Sequence, residues 1–211
     1  MSITLYDFTA APSPRRTRIL LAEKGIEVEN IQVDMMQGEQ MSEAFREINP
    51  GCTIPALKLE DGTVLTENVG IAALAEAYKP DPPLLGTTAT EQGLVYMWNA
   101  KVEFEGLAAI AEMLRNTSKG MVDRAMTGPT NFAQIPELAA RGNARLAVFL
   151  DMLDARLEGR AFLAIDAISL ADITALVVID FAKWVKVEPS AAHGNIKRWH
   201  AAMSARPSAS A

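Results

Sequence analysis

The stretch Asn49-Pro50-Gly51-Cys52-Thr53-Ile54-Pro55-Ala56-Leu57-Lys58-Leu59-Glu60-Asp61-Gly62-Thr63-Val64-Leu65-Thr66-Glu67-Asn68 decides how the first part of this 211-residue chain folds. Residues 54–59 and 63–65 read as two short strands, and Asp61-Gly62 between apolar runs is a strong hairpin signal, so the two strands are antiparallel. Toward the N-terminus, 38–48 places Met41, Ala44, Phe45 and Ile48 at helical spacing, and 26–34 alternates as a strand. Residues 15–24 carry Ile19, Leu20 and Ala22 on one helical stripe, which Gly25 stops. Pro12 and Pro14 punctuate a turn before that helix, and 3–8 is a short, mixed apolar strand. Toward the C-terminus, 68–78 reads as a further helix. The order is βαβαββα. A helical crossover between the first two strands favours parallel pairing, which makes the sheet mixed.

Lys79-Pro80-Asp81-Pro82-Pro83 cannot continue a helix, because proline lacks the N–H and clashes with the preceding turn. Residues 80–87 are therefore expected to link a first domain, 1–79, to a second, 88–211. Past residue 88 the strand patterns disappear. Thr88-Ala89-Thr90-Glu91 has capping-box spacing and opens a helix to about residue 116. Residues 117–134 read as a loop or broken helix, and 136–157 as a periodic helix. Ser169-Leu170-Ala171-Asp172 is a second capping box, with Asp in the Glu role, ahead of an apolar helix through 184. A last helix covers 195–204, and the tail from Pro207 is expected to fray.

With 49% hydrophobic residues the chain can bury a sizeable core, which excludes disorder as its main state. The formal net charge of −6, with 7 basic against 12 acidic residues in 1–80, argues against a nucleic-acid partner. No run of 18 apolar residues predicts a membrane helix. One cysteine, Cys52, cannot form an internal disulfide, and His193 and His200 have no partners at metal-ligand spacing, so no metal site is expected. The first ten residues lack the basic head and apolar run of a signal peptide, so a cytoplasmic, reducing compartment is the expectation.

Four motifs recur in one order: Ser13-Pro14-Arg15-Arg16-Thr17-Arg18-Ile19-Leu20-Leu21-Ala22-Glu23-Lys24-Gly25, Asn49 to Leu57 as quoted, Thr66-Glu67-Asn68, and Ser169-Leu170-Ala171-Asp172. With them the chain resembles the cytosolic glutathione S-transferases. It looks most like a fungal and bacterial subgroup that lacks a standard catalytic Tyr, Ser or Cys. The resemblance implies an α/β thioredoxin-like N-terminal domain plus an all-α C-terminal domain. It also implies glutathione as co-substrate, a homodimer, and a detoxification-type transfer of the glutathione thiolate to an apolar electrophile. A glutathione-dependent isomerase or etherase, or a non-catalytic glutathione- or ligand-binding protein, are the alternatives.

The resemblance further assigns residues. Pro55 is expected to be cis, with Thr53, Ile54 and Pro55 facing the cysteinyl part of glutathione and the Ile54 backbone pairing with it like an added strand. The Glu67 carboxylate is expected to hold the peptide's α-amino group. Asn68, which stands where the family usually has Ser, is expected to hold the α-carboxylate together with the helix N-terminus. Ser13 is the candidate thiol activator, with Tyr6 or a water as rivals. Lowering a thiol from about 8.5 by two units takes roughly 2.7 kcal/mol. One charge-assisted hydrogen bond supplies about 1.5–3 kcal/mol of that. Phe104, Ala108, Ala111, Met113 and Arg115 are expected to wall the electrophile pocket. Cys52 reads as a small loop residue, because redox members of the fold need a cysteine where this chain has Ser13-Pro14-Arg15-Arg16. Arg15, Arg16 and Arg18 read as a solvated face or a dimer contact.

Overall fold

In the computed structural model, which describes residues 3–211, four strands form one mixed sheet in the order β2-β1-β3-β4. These are β1 (Ile3–Asp7), β2 (Glu29–Gln32), β3 (Ala56–Leu59) and β4 (Val64–Leu65). β1 pairs parallel with β2 and antiparallel with β3, and β3 pairs antiparallel with β4. The helices between them are α1 (Pro12–Lys24), α2 (Glu43–Ile48) and α3 (Asn68–Tyr78), so the order is the expected βαβαββα. The first two residues of the 1–79 unit lie outside the described residues. The β3–β4 turn closes with Gly62 at φ 87, a conformation that disfavours a side chain.

Two local differences have clear causes. α1 starts at Pro12, not at residue 15, because proline's fixed φ suits the first helical position and its missing N–H would have no partner there anyway. Its C-cap, Gly25 at φ 56, donates to the Ala22 and Leu21 carbonyls, as the glycine stop predicts. β2 is shorter than 26–34 and exposes all four side chains, because Ile26 and Val28 leave the strand to pack on the core.

From residue 89 onward the chain is built on helices, as the resemblance implies: α4 (Ala89–Lys101), α5 (Ala108–Thr117), α6 (Pro136–Arg156), α7 (Leu170–Ala182) and α8 (Gly194–Ser204). A π turn, Val102–Leu107, joins α4 and α5 where the periodicity predicted one helix. Arg145 on α6 hydrogen-bonds the Phe104 carbonyl in this turn. α7 is the centre of the core, with every residue buried except Asp180. A Cβ at Gly142 of α6 would sit 2.6 Å from the Ala109 carbonyl oxygen, so its absence lets α5 and α6 meet.

The tail is not frayed. Pro207–Ser210 forms a 3₁₀ turn, Arg206 grips Glu23 of α1 through two bonds of 2.7 and 2.8 Å, and the Ser208 hydroxyl joins them. The Arg206 hydrogen bond holds the Glu23 carboxyl below its ordinary range although burial opposes it. A polar tail thus finds a charged anchor more than 180 residues earlier, which no local reading of composition can see. Among the described residues, no helix is long and apolar enough to cross a membrane.

Candidate active site

The loop before β3 is organised by a buried residue, Asn49. Its Nδ2 donates to the Thr53 carbonyl at 2.7 Å and to Thr53 Oγ1 at 3.0 Å, while its Oδ1 accepts from the Gly51 N–H at 2.9 Å. The Cys52 N–H closes the turn on the Asn49 carbonyl at 2.9 Å, and Cys52 takes φ 52 with its side chain buried. The Ile54–Pro55 peptide is cis. Pairing of β3 with β1 starts at Ala56, opposite Tyr6, which leaves the Ile54 N–H and C=O outside the ladder. In the sequence Asn49 is marked by the Asn-Pro-Gly turn signal that it opens.

The head of α3 is the second part of the site. Glu67 is its N-cap, yet its side chain makes no capping bond and stays exposed. Asn68, the first helical residue, is buried. The Asn68 amide reaches Thr17 Oγ1 at 2.9 Å and Ser13 Oγ at 3.3 Å. With its oxygen toward Arg16 Nη2 and the Ser13 hydroxyl, and its nitrogen toward Thr17 Oγ1 and the Ser13 carbonyl, each donor meets an acceptor. Arg16 Nη2 also donates to Ser13 Oγ at 2.9 Å, and Arg16 Nη1 pairs with Glu103 on the π turn. Burial lowers the Arg16 pKa, and Glu103 and Glu67 push back. Its Nε is buried and unpartnered among the described residues.

Ser13 therefore stands with Arg16 and Asn68, at the second position of α1. Tyr6 packs edge-on against Phe45, ring centroids 6.0 Å apart, in a small cluster with Val33 and Ile54. The arginine cluster is not a freely solvated face, because each guanidinium has a carboxylate partner within the chain. Arg15 pairs with Asp180, Arg16 with Glu103 and Arg18 with the fully buried Asp7. The last also accepts from Asn30 and Gln32 at 3.0 Å each.

The expected pocket wall is divided. Phe104, Ala108, Ala111 and Arg115 recur at i, i+4, i+7 and i+11 on one side of the rod. Met113 lies on the other side, against Gly142 of α6, and belongs to the packing there. Phe104 is 73% exposed. Arg115 donates to the Arg124 carbonyl at 2.9 Å, which anchors the loop after α5. That loop reaches the first part of the chain, where Arg124 touches Met41 Sδ at 3.6 Å.

A mixed four-stranded sheet flanked by α1 and α3, followed by an all-helical second half, is the architecture of a thioredoxin-like domain joined to a helical domain. Models of the glutathione S-transferase N-terminal and C-terminal domains match residues 11–77 and 110–207. Glutathione S-transferase 2 of Saccharomyces cerevisiae is 30% identical over 207 residues, 97% of this chain and 86% of the relative. The crystal structure of Gtt2 from Saccharomyces cerevisiae superposes with a TM-score of 0.88 at 30% identity, covering 97% of each chain. That of a glutathione S-transferase domain-containing protein from Marinobacter aquaeolei VT8 gives 0.89 at 30% identity, covering 97% of this chain and 98% of that one. The chain belongs to the glutathione S-transferase family, whose members use glutathione as co-substrate.

Proposed function

We propose that this transferase joins the glutathione thiolate to a neutral, apolar electrophile in a reducing cytoplasm. The observation that supports this most directly is the Glu67 carboxylate, exposed and uncapped beside the Ser13–Arg16–Asn68 network. An ammonium group placed there neutralises Glu67. The α-carboxylate beside it meets the free backbone N–H groups at the head of α3, where Asn68 is held by its own bonds to Thr17 and Ser13. The Ile54 backbone then takes the cysteinyl unit as an added strand, with Thr53 and Pro55 shaping the turn. In this reading Ser13 is a positioning residue for Asn68 and Arg16, and the thiol lies at the start of α1. An isomerase or etherase would use the same peptide site and differ in the electrophile alone. Glu67→Ala removes a charge-assisted bond of about 1.5–3 kcal/mol, so glutathione should bind roughly ten- to a hundredfold more weakly by calorimetry. Unchanged affinity would overturn the assignment. Turnover of a generic aryl halide separates an enzyme from a binding protein.

We further infer that two copies pair through the α4–α6 face. Phe104, Val148 and Met97 are 73%, 69% and 43% exposed there, and large apolar groups left in water favour association. Phe104 therefore fits a subunit contact better than the electrophile wall. Phe104→Glu should convert a dimer to a monomer in light scattering at micromolar concentration, and a dimer that persists would refute this surface.

A further inference from the structure

We propose that Arg115 on α5 and Arg124 in the loop after it hold the glycyl carboxylate of glutathione, so that the peptide bridges the two halves of the chain. The proposal rests on the transferase reading above and adds specificity-determining residues to that site. The loop 118–134 meets the first half at two points. Arg124 Nη2 lies 3.6 Å from Met41 Sδ. The Cβ position of Gly128 is 3.5 Å from the carbonyl oxygen of Gly51, in the turn that Asn49 organises ahead of Ile54.

Three observations point to a carboxylate there. The first is that both guanidiniums are half-buried and lack an anionic partner among the described residues, whereas every arginine of α1 has one. Arg115 spends Nη1 on the Arg124 carbonyl at 2.9 Å, and Arg124 spends Nη2 on the Gly128 carbonyl at 3.3 Å and on Met41. The Nε groups of both, with Arg115 Nη2 and Arg124 Nη1, make no bond among the described residues. Burial lowers the Arg115 pKa and the Arg124 charge lowers it further, with no carboxylate to offset them. An anion between two such like charges removes their repulsion and takes up their idle donors. The second is Gln40, the residue before Met41. It is buried, its Oε1 has no partner, and a half-turn of the amide presents NH2 as a further donor. The third is the direction of the peptide. Its amino end is assigned to Glu67 and its cysteinyl unit to the Ile54 backbone. An extended chain advances roughly 3.3 Å per residue, so the glycyl end falls one residue beyond Ile54, beside the 49–53 turn that Gly128 touches. Gln40 and Met41 carry no charge, and the guanidinium against Met41 supplies one.

The rival cation is Arg46 of α2, which is exposed and donates to the Met41 carbonyl at 3.1 Å. The test uses two probes, glutathione and its glycyl ethyl ester, which differ only in the charge at the glycyl end. Both are titrated calorimetrically into the wild type, Arg124→Gln, Arg124→Lys, Arg115→Gln and Arg46→Gln. The wild type should bind glutathione roughly ten- to a hundredfold more tightly than the ester. This ratio should fall by roughly tenfold in Arg124→Gln and a few-fold in Arg115→Gln. It should be largely kept in Arg124→Lys, which retains the charge, and unchanged in Arg46→Gln. A ratio that either Arg124→Gln or Arg115→Gln leaves as it was overturns the proposal, and so does a fall confined to Arg46→Gln. An equal loss of both probes also overturns it, since that would mark the arginines as structural support for the loop. Equal binding of the two probes by the wild type removes the glycyl site and leaves the transferase reading standing. Failure of the wild type to bind either probe overturns that reading, and this assignment with it.

Discussion

Asp172→Ala should lower the unfolding free energy by about 4 kcal/mol, enough to move the melting temperature by roughly 10 °C in a chain of this size. Asp172 is fully buried at the head of α7 and accepts four hydrogen bonds. They come from the Leu163 N–H at 2.7 Å, the Ser169 hydroxyl at 2.8 Å, the Ser169 N–H at 3.1 Å and the Trp199 indole N–H at 3.2 Å. The serine hydroxyl can turn to another acceptor. The other three donors are fixed, and each buried donor without a partner costs about 1–3 kcal/mol. Burial nevertheless pushes the Asp172 carboxyl up to about 6 against those four bonds. Between the ordinary carboxylate pKa and 6 the folded chain holds a proton that the unfolded chain has released. This group therefore adds stability as pH falls from 7 toward 4, and the gain is lost as pH rises through 6. Asp172→Asn carries no such proton, so the difference between wild type and Asp172→Asn should grow on the acid side. Urea unfolding at a series of pH values reads both effects. An alanine loss below 1 kcal/mol, or a wild-type-minus-Asn difference that does not change with pH, would contradict this account.

The same residue shows what could be read in advance. Ser169-x-x-Asp172 is a local pattern, and its capping role was legible; the bonds to Leu163 and Trp199 were not, since they depend on packing between distant segments. The element order was legible for the same reason. α3 runs over the expected residues because helical periodicity and its polar head lie within a dozen positions. The arginines of α1 were misread because their partners, Asp180 and Glu103, come from helices far along the chain. Met113 was assigned to the pocket wall by the family resemblance, which carries no sign that Gly142 brings α6 against that side of α5. In the site itself, Ile54, Pro55, Glu67 and Asn68 were marked by the family resemblance; the structure shows a cis peptide between the first two and puts the last two at the head of α3. The Ser13–Arg16–Asn68 contacts and the Arg115–Arg124 pair needed the folded chain, because each is a meeting of two elements and not a property of one.

Lys24→Ala should cost about 3–5 kcal/mol, the usual result of removing one partner from a buried ion pair. The Lys24 side chain is wholly buried at the end of α1, where its ammonium donates to the carbonyls of Lys79, Pro80 and Pro82 at 2.9, 3.2 and 2.6 Å and pairs with Glu76. Glu76 in turn accepts from the Leu84 and Leu85 N–H groups at 3.2 and 3.4 Å. One cation thus gathers the segment that leads from α3 to α4, and Leu84 passes the order on, since its carbonyl accepts from the Leu170 N–H at the head of α7. Lys24→Met keeps the apolar stem and removes the charge; it should lose nearly as much as the alanine variant if the ammonium is what matters. Pairing Lys24→Met with Glu76→Gln removes the stranded carboxylate and should recover a measurable part of the loss in a double-mutant cycle. Hydrogen exchange should rise in 79–85 and at the head of α7 in the single variants. A Lys24→Met protein within 1 kcal/mol of the wild type would mean that packing of the stem, and not the ammonium, holds the segment in place.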